Sequence, residues 1–541
     1  FLHTLPLRSV GDNNKLYVDY AEDPQSTAGG SLQGFAADVS VWRGLAATVR
    51  EEAARKRGPI WEDVIQDVLK TSDRAGTSRL LLQKLEMARD QSVLFVITGQ
   101  QPGLLGGPLL TVYKALTAIA FADWLEDRLS TPVIPLFWIA ADDTDFAEIR
   151  SLFIVSPDMS PLSTSLSDKA HHPGLPVGDI KVEFASESWA GVSTFIQAFP
   201  NGDCVREWTD RALSRTRDHA EVFAKIVSAL AGGKLVFVDG RSGPVRRCSK
   251  RLMSDYVDRE EDVKKMVIAQ GERLRQIGYH AQLSPGMDSG IFLLEDGKRH
   301  SVPPDRIADL RDAMEHSIES CSPGVILRNL VQDYVFRPIA VVLGPAETAY
   351  RAQIADAYRS FNIPRPSVIP RLTATYIPPP LAELLSGSDA DGYETLIREP
   401  SRFAAAMYER CIPARVRSAV EAYADQVTRA ADDMRRAVDG TIPAKMQKRL
   451  AGRLADIQRR AEQLGDIGSE AGKLLALERH PHLAHLGAAM RPDDKPQERV
   501  LSCLVPFLFA GERAMLAIRE ASRRHLAELM DGTPCHIVYS V

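Results

Sequence analysis

Three short stretches of this chain hold residues whose types and spacing could do chemistry. The first is Thr98-Gly99-Gln100-Gln101-Pro102-Gly103-Leu104-Leu105-Gly106-Gly107, set between an apolar, β-branched run (93–97) and a long apolar stretch opened by Pro108. Strand, glycine-rich turn and helix is a unit whose backbone N–H groups can cradle an anion. Gly99, Gly103, Gly106 and Gly107 let backbone approach a ligand closely. Thr98, Gln100 and Gln101 add neutral hydrogen-bonding groups, and Lys114, two turns into the helix, could face an anion or reach solvent. Neither a Walker A loop nor G-x-G-x-x-G fits the spacing. The competing reading is a structural strand–helix turn.

The second stretch is Asp142-Asp143-Thr144-Asp145-Phe146-Ala147-Glu148, directly after a second apolar run (131–141). Carboxylates this dense cannot all be buried and ionised, so some are solvated, bound to a cation or poised to take protons. Asp142, Asp143 and Asp145 are candidate catalytic groups: two could hold a substrate ammonium or Mg²⁺ (Asp143 and Asp145), and one could serve as general base. Acidic residues favoured at a helix N-terminus would give the same pattern. The third stretch is Gly344-Pro345-Ala346-Glu347-Thr348-Ala349-Tyr350, after the apolar run 339–343. Glu347 could meet a substrate amine or be a helix-start carboxylate. Arg328 and Gln332 stand out as polar residues in an apolar neighbourhood. Arg371 follows a strand-like segment and reads as a substrate contact or a solvated surface arginine.

The elements that must position these residues point to an α/β protein. Continuous apolar runs near 93–97, 131–141, 234–239 and 339–343 alternate with helical patterns, which favours a mostly parallel sheet covered on both faces. Residues 16–20 read as a short extended segment, 152–155 as a further strand, and 26–34 as a loop. Single helices are expected over 207–230 and 245–277. Residues 279–283 and 290–294, flanking a Pro-Gly-Met-Asp-Ser-Gly turn, suggest a small antiparallel meander. After the stiff Pro378-Pro379-Pro380, apolar residues recur every three or four positions over 416–438 and 446–471, as in an antiparallel coiled-coil hairpin. The division expected is a core over 1–380 with insertions at about 156–230 and 262–320, a coiled-coil domain over 381–490, and a C-terminal segment, 491–541, apolar enough to dock on the core.

Composition narrows the function classes. The chain has 541 residues and a net charge of −5, which gives no global basic footprint for nucleic acid or an anionic membrane. No run is long and apolar enough for a spanning helix, and the first residues lack a signal-peptide pattern. The six cysteines are widely spaced with no C-x-x-C, which fits reduced cytoplasmic thiols. His480, His482 and His485 read as a surface turn, and Lys445 to Arg449 as part of the hairpin.

Four segments, TGQQPGLLGGPLLTVYKALTAI, PVIPLFWIAADDTDFAEI, VILRNLVQDYVFRPIAVVLGPAETAYRAQI and FNIPRPSVIPRLTATYI, together resemble the bacillithiol biosynthesis cysteine-adding family, BshC. LVFVDG, GYHAQL followed by FLLEDGKR, and KPQERVLSCLVPFL agree too. The resemblance implies a Rossmann-like core with connecting insertions and a coiled-coil domain used for homodimerisation. It also implies a ligase that joins cysteine to glucosaminyl-malate. ATP and Mg²⁺ are the activating pair expected for such an amide-forming step. The family usually reads Gly-Glu-Asp-His-Asp-Phe-Asp-Glu where this chain has residues 141–148, so its His is Thr144 here and one acidic position is Ala147. A base drawn from this segment would then be Asp143 or Asp145. Two other readings stay open: an ATP-dependent amide ligase or nucleotidyl transferase for another substrate, and a non-catalytic coiled-coil scaffold carrying a relic core.

Overall fold

The computed structural model describes residues 2–11, 14–25, 30–56, 60–90, 93–284, 290–385 and 390–541. The expected loop start at 26–29 and the turn at 285–289 lie outside them. The chain divides into two compact units. One comprises Phe1–Pro157, Pro161–Glu383 and Lys495–Val541; the other comprises Asp158–Ser160 and Leu384–Asp494.

The larger unit is organised on five strands: β1 (Leu94–Gln100), β2 (Val133–Ile139), β3 (Val236–Asp239), β4 (Ala340–Leu343) and β5 (Ser367–Pro370). They lie in the order β5-β4-β1-β2-β3, and every pairing is parallel. All seven residues of β2 and all four of β4 are buried, as a strand covered on both faces requires. Helix α1 (Leu109–Leu129) returns the chain from β1 to β2 and is buried along most of its length. The chain starts at the central strand, proceeds outward through β2 and β3, then crosses back to β4 and β5. Ligands of open α/β sheets bind at the carboxyl ends where the strand order reverses, here between β1 and β4. Those two strands pair only at Ala340 with Val96 and Val341 with Ile97. Beyond that the ladder stops, and the Thr98 hydroxyl donates to the Val342 carbonyl at 2.9 Å.

Several local expectations are corrected. Residues 16–20 lie within the helix Lys15–Glu22, with Asn14 capping its N-terminus. Leu16, Tyr17 and Tyr20 share its buried side; a helical pattern this short is easily taken for alternation. The strand Ser151–Val155 pairs antiparallel with Pro161–Ser165 outside the main sheet. The expected helix over 207–230 is two, Gly202–Leu213 and His219–Leu230, the second capped by Asp218. That over 245–277 is also two, Gly243–Asp258 and Glu260–Gln276. The meander forms with other partners: Ile291–Glu295 pairs with Lys298–Ser301 and with Cys321–Pro323, while 279–283 is not a strand. A further sheet joins the two ends of the unit. Leu2–Pro6 pairs with Cys535–Tyr539, which pairs in turn with Ala374–Tyr376.

The smaller unit is helical. Helices α5 (Ala414–Val438) and α6 (Ala444–Arg479) pack along each other across a short turn. Ala431, Leu454, Ala461 and Ala476 are buried within this unit, whereas Tyr423, Met434, Met446, Ile457, Ile467 and Leu474 are exposed on the chain. Gly472 is dictated by contact: a Cβ there would stand 2.7 Å from the Tyr408 carbonyl.

Candidate functional site

The carboxyl ends of β1 and β4 open into a cleft of about 360 Å³. Helix α2 (Phe146–Ile149) follows β2. Helix α3 (Val325–Phe336) precedes β4, and helix α4 (Pro345–Gln353) follows it. The three sequence stretches therefore meet here because the sheet brings three strand ends to one edge.

Lys114 is the hinge of the arrangement. It projects from α1 with its side chain only 4 % exposed. Its ammonium donates to the Gly99 carbonyl (2.9 Å), Gln100 Oε1 (2.7 Å) and Glu347 Oε1 (2.7 Å). Burial pushes its pKa down and the neighbouring Glu347 opposes that fall. Glu347 also accepts the Gly344 N–H at 2.8 Å through Oε2, closing the first turn of α4. Of the two readings of Glu347 the helix-start one is seen, and the same carboxylate also fastens β4 to β1 through Lys114. A Cβ at Gly344 would fit tightly, 3.1 Å from Arg371 Nε and 3.3 Å from Glu347 Oε2.

The acidic segment divides into four different environments. Asp142 is buried behind the cleft wall, accepting from Ser322 Oγ at 3.0 Å and lying 3.3 Å from Arg328 Nη2. Asp143 faces the cleft, with Gln101 Nε2 at 3.1 Å, Arg328 Nη1 at 3.2 Å and the Thr144 N–H at 2.8 Å. Burial works against its charge, but Arg328, the Thr144 N–H and Arg299 outweigh it, so Asp143 stays below the ordinary carboxylate range. Asp145 is exposed and turned onto α2, where it accepts the Glu148 N–H at 3.1 Å. Glu148 stands at the open rim of the cleft. Desolvation, then the charges of Asp145 and Asp143, push its pKa up, with a hydrogen bond from Gln101 opposing.

Thr98, Gly99, Gln100, Gln101, Lys114, Arg328, Gln332, Gly344, Glu347, Tyr350 and Arg371 all reach the cleft. Three glycines expected to cradle an anion do not. Gly103, Gly106 and Gly107 lie off its wall and are buried. The Gly103 N–H donates to Gln101, Gly106 to Gly103 and Gly107 to Leu104, so these donors are spent within the turn. A Cβ on Gly106, whose φ is +93°, would meet Cys503 Sγ and Ile226 Cγ2, both at 2.8 Å. These three glycines serve the packing of the turn and do not face the cleft. Asp142 is buried and Asp145 exposed, and neither lines the cleft. Arg371 lines the cleft floor, but its guanidinium is committed to Glu498, at 2.5 and 3.0 Å.

Sequence reasoning missed Glu148 as a site residue, although it belonged to the acidic segment. It also missed Glu498 and Arg499, both within the KPQERVLSCLVPFL segment whose agreement with the family was the available signal.

A five-stranded parallel sheet in Rossmann order with a polar cleft at its switch point defines a Rossmann-like, small-molecule-binding class of domain. A family model described as "Bacillithiol biosynthesis BshC, N-terminal Rossmann-like domain" matches residues 7–372, and the chain belongs to that family. The Geobacillus kaustophilus protein named "Putative cysteine ligase BshC" is 29% identical over 324 residues, covering 56% of this chain and 59% of that one. Its namesake from Geobacillus thermodenitrificans is 27% identical over 328 residues (56% and 59%), and that from Bacillus mycoides 25% over 346 (60% and 63%). The matched portion thus spans about three-fifths of each relative's length.

Proposed function

We propose that the chain is a ligase that adds L-cysteine to glucosaminyl-malate through an amide bond, the last step of bacillithiol biosynthesis. The observation that carries this reading is the switch-point cleft, lined by Lys114–Glu347, Asp143–Arg328 and Glu148, within the family-matched region. The proposed activating pair is ATP with Mg²⁺, which would convert the cysteine carboxylate into an acyl phosphate or acyl adenylate. Among the described residues no three His, Cys, Asp or Glu side chains converge as a metal cage. Asp145 accepts the Glu148 N–H through Oδ1 alone and is exposed, whereas both oxygens of Asp143 already accept hydrogen bonds; Asp143 and Asp145 remain the proposed Mg²⁺ ligands.

The residues divide the remaining work. Asp143, held ionised by Arg328, pairs with a substrate ammonium and orients it. Glu148 is the general base: its raised pKa brings it nearer the value a base needs at neutral pH. The amino nitrogen forms the new C–N bond as the activating group leaves with the C–O electron pair, and the surplus proton on nitrogen passes to Glu148. Lys114 and Glu347 keep the two strand ends at fixed separation. The thiol belongs to the substrate, so no protein cysteine is required. Thr144 contributes its backbone N–H to Asp143, a role that needs no particular side chain.

A homodimer formed through the α5–α6 hairpin is part of the proposal, supported by the exposed apolar residues along it. A cytoplasmic setting is proposed from the substrates. No helix among the described residues is long and apolar enough to cross a membrane. The test is to mix purified protein, cysteine, glucosaminyl-malate, ATP and Mg²⁺ and look for the conjugate by mass spectrometry. Product that disappears when any one substrate is omitted is expected. Folded protein with intact substrates and no product sinks the assignment.

A further inference from the structure

Five cations line the cleft: Lys114, Arg328, Arg351, Arg371 and Arg499. Four are largely buried and held by carboxylates. Lys114 pairs with Glu347, Arg328 with Asp142 and Asp143, Arg351 with Asp333, and Arg371 with Glu498. Among the described residues the Arg499 guanidinium alone of the five has no ion pair or hydrogen bond, and it is exposed at the cleft.

The turn that carries Arg499 is nevertheless held firmly. It is the short helix Gln497–Val500, and the two residues before Arg499 are 3% and 6% exposed. Gln497 clasps the backbone of Tyr376, accepting its N–H and donating to its carbonyl, both at 2.9 Å. Glu498 takes both Nη atoms of Arg371 and the Ala374 N–H at 3.2 Å. Two buried side chains thus fix the backbone under a cation whose head group is left unspent. The arrangement lowers the ordering cost of binding at Arg499. The other cations of the cleft already have their charge answered, so an incoming anion finds its uncompensated charge here.

We propose that Arg499 is the anchor for a carboxylate of the acidic substrate, gripped through the two parallel N–H bonds that a guanidinium offers a planar oxyanion. Only the identity of the acid rests on the ligase reading; the anion subsite does not. The phosphate of a nucleotide is the other oxyanion such a group could take, and the measurement separates the two.

The full chain, R499K and R499M are titrated calorimetrically with L-malate and, separately, with ATP. Because the head group has no partner within the chain, both variants should melt with the wild type. R499M should bind malate at least tenfold more weakly. R499K, which keeps the charge and loses the fork, should fall between. ATP affinity should not move. Equal malate affinity in all three proteins, or no malate binding by the wild type, overturns the proposal, as does a loss confined to ATP. If ligase product never forms while R499M still weakens malate binding, the reaction is wrong and the subsite stands.

Discussion

At the residue scale, the site depends on which carboxylate carries which pKa. Glu148 is raised and Asp143 is lowered, which suits the two to the opposite duties proposed for them. Turnover by Glu148→Gln should fall by about a hundredfold or more, the range of a lost general base. The wild-type rate should decline as pH falls through the Glu148 pKa, above the ordinary glutamate value of about 4.3, because the base must be deprotonated; the variant should lose that limb. A pH–rate profile of both proteins checks this. Lys114→Met should cost about 3 kcal/mol of stability, since one partner of a buried pair is removed, and urea unfolding would measure it. The residue types were legible in the sequence, but their division of labour was not. Asp142, Asp143, Asp145 and Glu148 lie within seven positions, and only the fold shows that Ser322 and Arg328 take the first, Arg328 the second and a helix N-terminus the third.

At the element scale, the glycine turn after β1 is a packing device. His219 Nε2 donates to the Pro102 carbonyl at 2.7 Å, and burial lowers the histidine's pKa to about 4. A folded-state value below the unfolded one of about 6.5 means that the unfolded chain takes up the proton first. The stability contributed by neutral His219 is therefore full above about pH 6.5 and is lost as pH falls towards 4, up to about 3 kcal/mol. His219→Gln should flatten stability between those values, read from denaturant curves at stepped pH. Gly106→Ala should cost roughly 2 kcal/mol or more through its positive φ and its clash with Cys503 and Ile226, while the folded fraction keeps wild-type ligand affinity. Strand, glycines and helix were all readable from the sequence. Whether the N–H groups faced a ligand or the carbonyls of their own turn was not, because the spacing is the same and the answer lies in contacts with residues 226 and 503.

At the scale of the whole molecule, the four main apolar runs and the strand-like segment at 367–369 became the five parallel strands, because continuous burial leaves a strong signature. The terminal sheet escaped notice because its partners, Leu2–Pro6 and Cys535–Tyr539, lie at opposite ends of the sequence. The hairpin's unburied apolar residues predict self-association: Ile467→Glu with Leu474→Glu should shift a dimer to monomer in light scattering, and an unchanged mass would remove the hairpin from the interface. The proposed place of amide formation is the β1–β4 switch point. The most direct measurement is a crystal structure with cysteine and glucosaminyl-malate bound. The substrate amine is expected within hydrogen-bonding distance of Glu148, in the cleft bounded by Gln100, Lys114 and Glu347. Well-ordered substrates at any other place on the chain, with this cleft empty, would contradict it.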